Sequence, residues 1–405
     1  MTNGPALPWD TVARCRPFPL PPPGSVGPPE EYAWLREQCP VARVQLPVGV
    51  PGWFVTRHAD VRALLADRRL VRPAIDDWPE PAGGPRAEPG LVTMMEMGGE
   101  PHKALRAAVA GAFSARAVRG RRERIRQLAD RVLDEFERGK RPADVVTGYA
   151  EPFPLLVLCD LVGLPHDERH LFLEPADAAL GAMNTLAEGR RATRVLRCYL
   201  GELVQRKRAE PADDVLTGLV RRCDGGELDD EQVINFGLSV LIAGYRTSTM
   251  FLANAVLHLL RHPDRLALLH EDRDLLPRAA EEMFRFLPVM NGNVLLTATT
   301  SLEVAGTVIR AGDGVVPSVA AANRDGSVFD RPDDLCLGRG RNPHLAFGRG
   351  EHNCIGAHLA RAELEIGLGA LLDRLPGLRL AASENEIPWE DHAPAKSPLR
   401  LPVNW

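Results

Sequence analysis

The stretch "AFGRGEHNCIGAHLARAEL", residues 346–364, places three glycines, one histidine and one cysteine between Phe347 and Gly356, just ahead of a helical pattern. A cysteine acts as nucleophile or metal ligand only as its thiolate. The amino end of a helix favours that form through free N–H groups and the positive end of the dipole, and Cys354 is so placed. Gly348, Gly350 and Gly356 accept positive φ and let the backbone approach something large and flat, while Phe347 can cover the sulfur from water. One thiolate presented this way suits the proximal side of a haem iron. There it pushes electron density onto the metal and favours O–O cleavage, and protecting N–H groups tune the potential. The alternative for a single cysteine is a buried, inert thiol.

Three other groupings have spacings with physical meaning. Glu282 and Arg285 stand at i, i+3 and share a helix face, where they can lock an ion pair against the later "NRD" and "FDRP" segments. Charged pairs at this spacing are otherwise solvated. His102 and Arg106, at i, i+4, put two cations on one face. In "AGYRTS", residues 243–248, Gly244 weakens a helix and the Thr247 hydroxyl can bond the carbonyl of Ala243, opening a groove.

The elements that must position these groups follow from periodicity and caps. A short hairpin is expected over 44–56, and Thr56 is expected to cap the helix that follows. Residues 70–98 read as a long loop carrying Trp78, Met94, Met95 and Met97. Pro101 sits in the first turn of a helix to about Phe113, and Ser114 caps the next, to about Gly139. Helical patterns fill 142–163, 166–188 and 190–223. Asp229 or Asp230 opens a helix over 229–262 that spans roughly 45 Å at ~1.5 Å per residue and is apolar on most sides, hence a buried spine. A helix over 275–287, strand-like pieces at 294–298 and 302–309, an irregular stretch, the ligand loop 346–356, a helix to about Arg374 and short terminal strands complete the chain. The class is mainly α with a small β part, in a single domain over 1–405 whose first 29 residues form a proline-rich arm.

Composition narrows the function classes. With 45% hydrophobic and 25% charged residues the chain reads as globular, and its net charge of −5 argues against nucleic acid as a partner. The opening "MTNGPALPWD" lacks a basic stretch followed by an apolar one, and no run of roughly 18 apolar residues lacks a charge or a break. A soluble, cytoplasmic protein with no membrane partner is expected. The seven cysteines at 15, 39, 159, 198, 223, 336 and 354 are odd in number, scattered and never in a Cys-x-x-Cys pair, which favours neither disulfides nor zinc.

The run Phe347-Gly348-x-Gly350-x-His352-x-Cys354-x-Gly356 resembles the haem-binding signature of the cytochrome P450 family, in the shorter soluble form that bacteria make. The resemblance extends from the hairpin near residue 44 to the end. It implies the cytochrome P450 fold and haem b with Cys354 as axial ligand. His352, His102 and Arg106 become propionate contacts, and Glu282 with Arg285 a structural lock. Ala243, Gly244 and Thr247 become the oxygen-binding kink of the long helix. The implied activity is monooxygenation by a monomer. It would hydroxylate or epoxidise a bulky, mostly apolar natural-product intermediate with O₂ and two electrons from a ferredoxin and ferredoxin reductase, since no reductase domain is encoded. Six arginines in "ARAVRGRRERIR", residues 115–126, would otherwise read as a solvated face; on the resemblance they lie near the surface where an acidic ferredoxin docks.

Two departures stand out. Most members carry Asp or Glu before the threonine of the kink, and this chain has Arg246, whose guanidinium cannot usefully give up a proton. Protons would then come through Thr247, Ser248 and water, or from a substrate group, or oxygen activation is impaired; Arg246 can also simply pair with a carboxylate of the fold. The family also often places a propionate-binding arginine two residues before the position of Ala298, where this chain has Leu296.

The resemblance walls the substrate pocket with the loop from Trp78 to Met97, the helix pair between 166 and 208, Val240, Ala243 and Gly244, the segment Val289 to Leu295, and a turn near Trp389. Met94, Met95 and Met97 suit a bulky substrate, although core filling is the commoner role of methionine. Asn291 and Asn293 offer polar recognition. Two further readings remain: oxidative C–C or C–N coupling of an aromatic metabolite without oxygen insertion, and a non-catalytic haem-binding or sensing protein.

Overall fold

The computed structural model describes residues 15–19, 27–46, 51–72, 94, 95, 97–180, 186–289, 294–390 and 396–405. It opens with α1 (Glu31–Gln38), the antiparallel hairpin β1 (Val41–Gln45) and β2 (Pro51–Val55), α2 (His58–Leu64) and the short strand β3 (Leu70–Val71). The hairpin is present, but the cap expected of Thr56 is not. Its hydroxyl donates to the carbonyl of Pro40 at 3.3 Å, and the first N–H of α2, on His58, donates to the carboxylate of Asp325 at 2.8 Å. A partner distant in sequence supplies the cap that a neighbour was expected to give.

Next come α3 (Gly99–Ala110) and α4 (Ala115–Arg138), where Ser114 Oγ accepts from the N–H of Ala117 at 3.3 Å as expected. After β4 (Ala143–Asp144) and a wide turn over Val146–Ala150 follow α5 (Pro152–Val162), α6 (Arg169–Leu180), α7 (Leu186–Ala209) and α8 (Val215–Asp224). The pattern over 190–223 is thus two helices. Pro211 lacks the N–H needed to continue, and Asp214 restarts the chain by accepting from the N–H of Thr217 at 2.8 Å.

Asp229 opens α9 (Asp230–Ala243) with a reciprocal pair of bonds to Gln232, at 2.8 and 3.0 Å. After a break at Gly244 and Tyr245 the same line continues as α10 (Arg246–Arg261). This is the expected spine. Phe236, Leu241, Leu252, Ala255 and Leu257 along it are at most 2% exposed, and each large apolar side chain contributes roughly 1.5–3 kcal/mol by leaving water. Among the described residues it is also the one segment long and apolar enough to cross a membrane, and 61% of its most apolar window is buried in protein.

The rest comprises α11 (Pro263–Glu271), α12 (Leu276–Phe286), β5 (Leu296–Ala298), the hairpin β6 (Leu302–Val304) and β7 (Thr307–Ile309), β8 (Gly314–Pro317), α13 (Val319–Ala322), α14 (Ala357–Arg374), β9 (Arg379–Leu380) and β10 (Pro402–Asn404). The main sheet runs β1-β2-β8-β5-β3, with β2 and β8 parallel and the other pairs antiparallel; β4-β10-β9 form a smaller one. In the helical core α14 lies against α4, α10 and α12. There the Tyr149 hydroxyl donates to the Gly367 carbonyl at 2.8 Å. A side chain at 367 would meet the Phe153 ring at 2.7 Å, so glycine permits this approach.

Candidate active site at the Cys354 loop and the distal helix

The loop before α14 is shaped by glycines where shape is needed. Gly348 has φ 68° and Gly350 has φ 77°, and a Cβ on Gly350 would lie 2.6 Å from the carbonyl oxygen of Leu65. The N–H of Cys354 donates to the Phe347 carbonyl at 2.8 Å, and the Asn353 amide bonds the same oxygen at 3.2 Å. The Phe347 ring packs on Phe284 at 4.8 Å, with the guanidinium of Arg361 4.4 Å from its centroid. The Cys354 side chain is exposed on one side and crowded by protein on the others. Burial pushes its thiol up, and the Gly356 N–H and the charges of Arg106 and Arg361 oppose that shift.

The segment that leads into this loop is held by a knot of buried charge. Glu282 and Arg285 are both fully buried and pair at 2.8 Å. Arg285 also donates to the carbonyls of Asn323, Pro332 and Asp334 at 2.6–2.9 Å. Glu282 accepts from the Cys336 N–H at 2.8 Å, Arg339 at 2.9 Å and Asn342 at 3.1 Å. Burial alone would raise the Glu282 carboxyl, but Arg285, the Cys336 N–H and Arg339 together hold it below the usual range. The expected pair is therefore present. Arg339 and Asn342, which the sequence reading did not single out, complete it.

His102 and His352 come together with their ring centroids 4.5 Å apart. His102 is buried, and its Nδ1 lies 3.3 Å from a Glu351 carboxylate oxygen without hydrogen-bonding geometry. Burial lowers both imidazoles. His102 is opposed in this by Glu351, and His352 is pushed to about 4 with help from the charges of His102 and Arg72. Arg106 Nη2 donates to the carbonyl of Asn353 at 2.6 Å, tying α3 to the ligand loop. A thiol open on one side, the buried His102 imidazole beside the half-buried His352 and a set of cations from Arg106 and Arg72 make a group that fits a haem and its two carboxylates. Leu296 is buried in an apolar cluster with Ala298 and Val315, so that position contributes no cation.

On the long helix the expected kink is present. The Thr247 hydroxyl donates to the Ala243 carbonyl at 2.8 Å, and at Gly244 a side chain would press on Leu158 of α5 at 3.1 Å. Arg246 pairs with Glu390 at 2.9 Å and with Asp177 of α6 at 3.8 Å, while the Tyr245 hydroxyl donates to Asp177 at 2.5 Å. Ser248 donates to Glu363 of α14 at 2.6 Å. Burial pushes the Glu363 carboxyl up to about 8, with Ser248 opposing. It stands against a void lined also by Phe251, Leu252 and Phe284. Glu363 was missed because "ELEIGLGALL" is apolar all round, and no periodicity separates an inward Glu363 from an outward Glu365.

The expected pocket residues divide. Trp78, Asn291 and Asn293 lie outside the described residues. Met94 is buried, and its N–H donates to Ser239 Oγ of α9 at 2.7 Å, beside Val240. Met97 packs against the same core. Met95 is 39% exposed. Val289 packs with Met250 and Phe251 in a separate small cluster. Trp389 precedes Glu390, the partner of Arg246. The arginine face is also less basic than expected: Arg121 and Arg124 pair with Asp160, Arg122 with Glu365, and Arg126 with Asp130 and Asp373.

A sequence profile described as "Cytochrome P450" matches residues 166–377. The chain is 40% identical over 380 residues to nocardicin C N-oxygenase of Nocardia uniformis subsp. tsuyamanensis, covering 92% of this chain and 94% of that one. It is 36% identical over 379 residues to mycinamicin IV hydroxylase/epoxidase of Micromonospora griseorubida, covering 92% and 94%. Among solved structures, HinD with NMFT and NO superposes with TM-score 0.90 at 38% identity, covering 97% of this chain and all of that one.

Proposed function

The chain belongs to the cytochrome P450 family, and on that premise we propose that this oxidoreductase inserts one oxygen atom into a bulky, mostly apolar secondary metabolite by hydroxylation or epoxidation. The observation that carries the reading is Cys354, presented with one open side on a glycine-shaped loop. Cys354 would hold haem b, with His352, His102 and Arg106 toward its carboxylates; so held, haem supplies reductive activation of O₂. Electrons come from a ferredoxin and its reductase, and the enzyme works as a soluble monomer in the cytoplasm.

The chain's own residues then manage protons and water. Phe347 covers the sulfur. Thr247 gives its hydrogen to the Ala243 carbonyl, which leaves its oxygen free to accept one from a neighbour in the groove. Arg246 is a permanent cation held by Glu390 and Asp177 and gives up no proton. Glu363, with its carboxyl raised to about 8, keeps a proton at neutral pH and accepts the hydrogen of Ser248 Oγ, one residue beyond Thr247. Of the three routes open to the sequence, the hydroxyl relay through Thr247 and Ser248 is therefore favoured, with Glu363 as the acid behind it.

The absence of an acid at 246 also supports a second reading, oxidative coupling without oxygen insertion. Product mass separates the two: a gain of one oxygen or a loss of two hydrogens. The first test is spectroscopic. Purified holoprotein, reduced under carbon monoxide, shows the thiolate-type Soret band, and Cys354→Ser abolishes it. Persistence of that band in the variant refutes the assignment, and failure to consume NAD(P)H with substrate and redox partners leaves a non-catalytic haem protein.

A further inference from the structure

The strand beside β5 is followed by a cation. We propose that Arg72, immediately after β3, holds one propionate of the haem, replacing from the neighbouring strand the arginine that position 296 lacks. This rests on the haem reading above.

Strand register places the residue. Leu70 lies opposite Ala298 and Val71 opposite Thr297, so one step further sets Arg72 across from Leu296. Cross-strand neighbours in an antiparallel pair share a face, so Arg72 projects on the side to which a residue at 296 would project. The approach of the ligand loop agrees. A Cβ on Gly350 would lie 2.6 Å from the Leu65 carbonyl oxygen and 2.9 Å from the Ala66 Cα, so this loop lies against the turn that leads from α2 into β3. Two residues on is His352, whose ring lies tilted against that of His102 with centroids 4.5 Å apart.

Charge matching gives Arg72 its role. Haem brings two carboxylates into a partly buried site, and each needs a lasting countercharge. The imidazoles of His102 and His352 carry charge only when protonated, whereas a guanidinium is charged throughout the working range. Arg106 supplies one such charge from α3 and Arg72 the second from the sheet side. A guanidinium also matches a carboxylate with two parallel donors.

The test compares haem loss from ferric holoprotein to excess apomyoglobin for the native chain, Arg72→Leu and Arg72→Lys, each carrying haem b or haem b dimethyl ester. With haem b, Arg72→Leu loses the group about tenfold to a hundredfold faster, as expected for removal of a charged hydrogen bond, and Arg72→Lys falls between. With the dimethyl ester, which has no carboxylates, native protein and Arg72→Leu lose it at the same rate. Equal rates with haem b overturn the proposal, as does a difference that persists undiminished with the ester, because Arg72 would then act on the fold alone. Both outcomes are distinct from failure of the haem reading, in which the native chain takes up no haem and shows no thiolate-type band.

Discussion

Glu363 gives the sharpest test of the distal arrangement. Burial pushes its carboxyl up to about 8 against the opposing bond from Ser248. Below pH 4.5 the folded and unfolded chains both hold this proton, so the residue adds no pH dependence there. Between 4.5 and about 8 the unfolded chain releases the proton and the folded chain keeps it, so stability falls as pH rises. Above that window the penalty is constant. A rise from 4.5 to about 8, at about 1.4 kcal/mol per pH unit, makes the full penalty roughly 5 kcal/mol. Glu363→Gln keeps the shape and an oxygen to accept from Ser248, and removes the slope. Denaturant unfolding of native protein and variant across this window should show the variant gaining by several kcal/mol as pH rises, then levelling. Infrared spectra should show a protonated carboxyl band in the native protein, absent from the variant, that titrates away near pH 8. Parallel stability curves would refute the reasoning, since Glu363 would then be ionised throughout and could not keep a proton behind Ser248.

Two other outcomes follow from the same geometry. Glu282→Ala strands Arg285 as an uncompensated buried charge and removes the acceptor of Arg339 and the Cys336 N–H; a loss of about 3–5 kcal/mol is expected by denaturant unfolding, together with faster haem loss. Gly350→Ala forces a side chain onto φ 77° and into the Leu65 carbonyl. The yield of the thiolate-type carbon monoxide band per mole of protein should fall while the far-ultraviolet helix signal is kept.

What could be read from sequence was what local chemistry dictates. The glycine, phenylalanine and cysteine spacing of 347–356 was legible because every requirement of the loop is met within ten residues. The Ser114 and Asp229 caps were legible because the acceptor lies three residues from its donor. Thr56 failed as a cap because Asp325, 267 positions from His58, was better placed. The pattern over 190–223 contained its own warning in Pro211, overridden by the apolar period on either side. The partners of Arg246 were hidden for the same reason as Asp325: Glu390 lies 144 positions away, and sequence spacing does not encode which distant carboxylate the fold brings near. In α14 the difficulty was different, because a helix buried on nearly every side has no period from which to read a direction.

Arg246 stands between Asp177 and Glu390, and this fixes how the position can evolve. An acid introduced there by a single substitution would face two carboxylates already within 4 Å of the present guanidinium, so the sign of this residue cannot drift on its own. Residues 177, 246 and 390 form one epistatic unit. A mutational path toward an acidic helix must first neutralise its two counterparts, and each intermediate on that path leaves a cation short of partners.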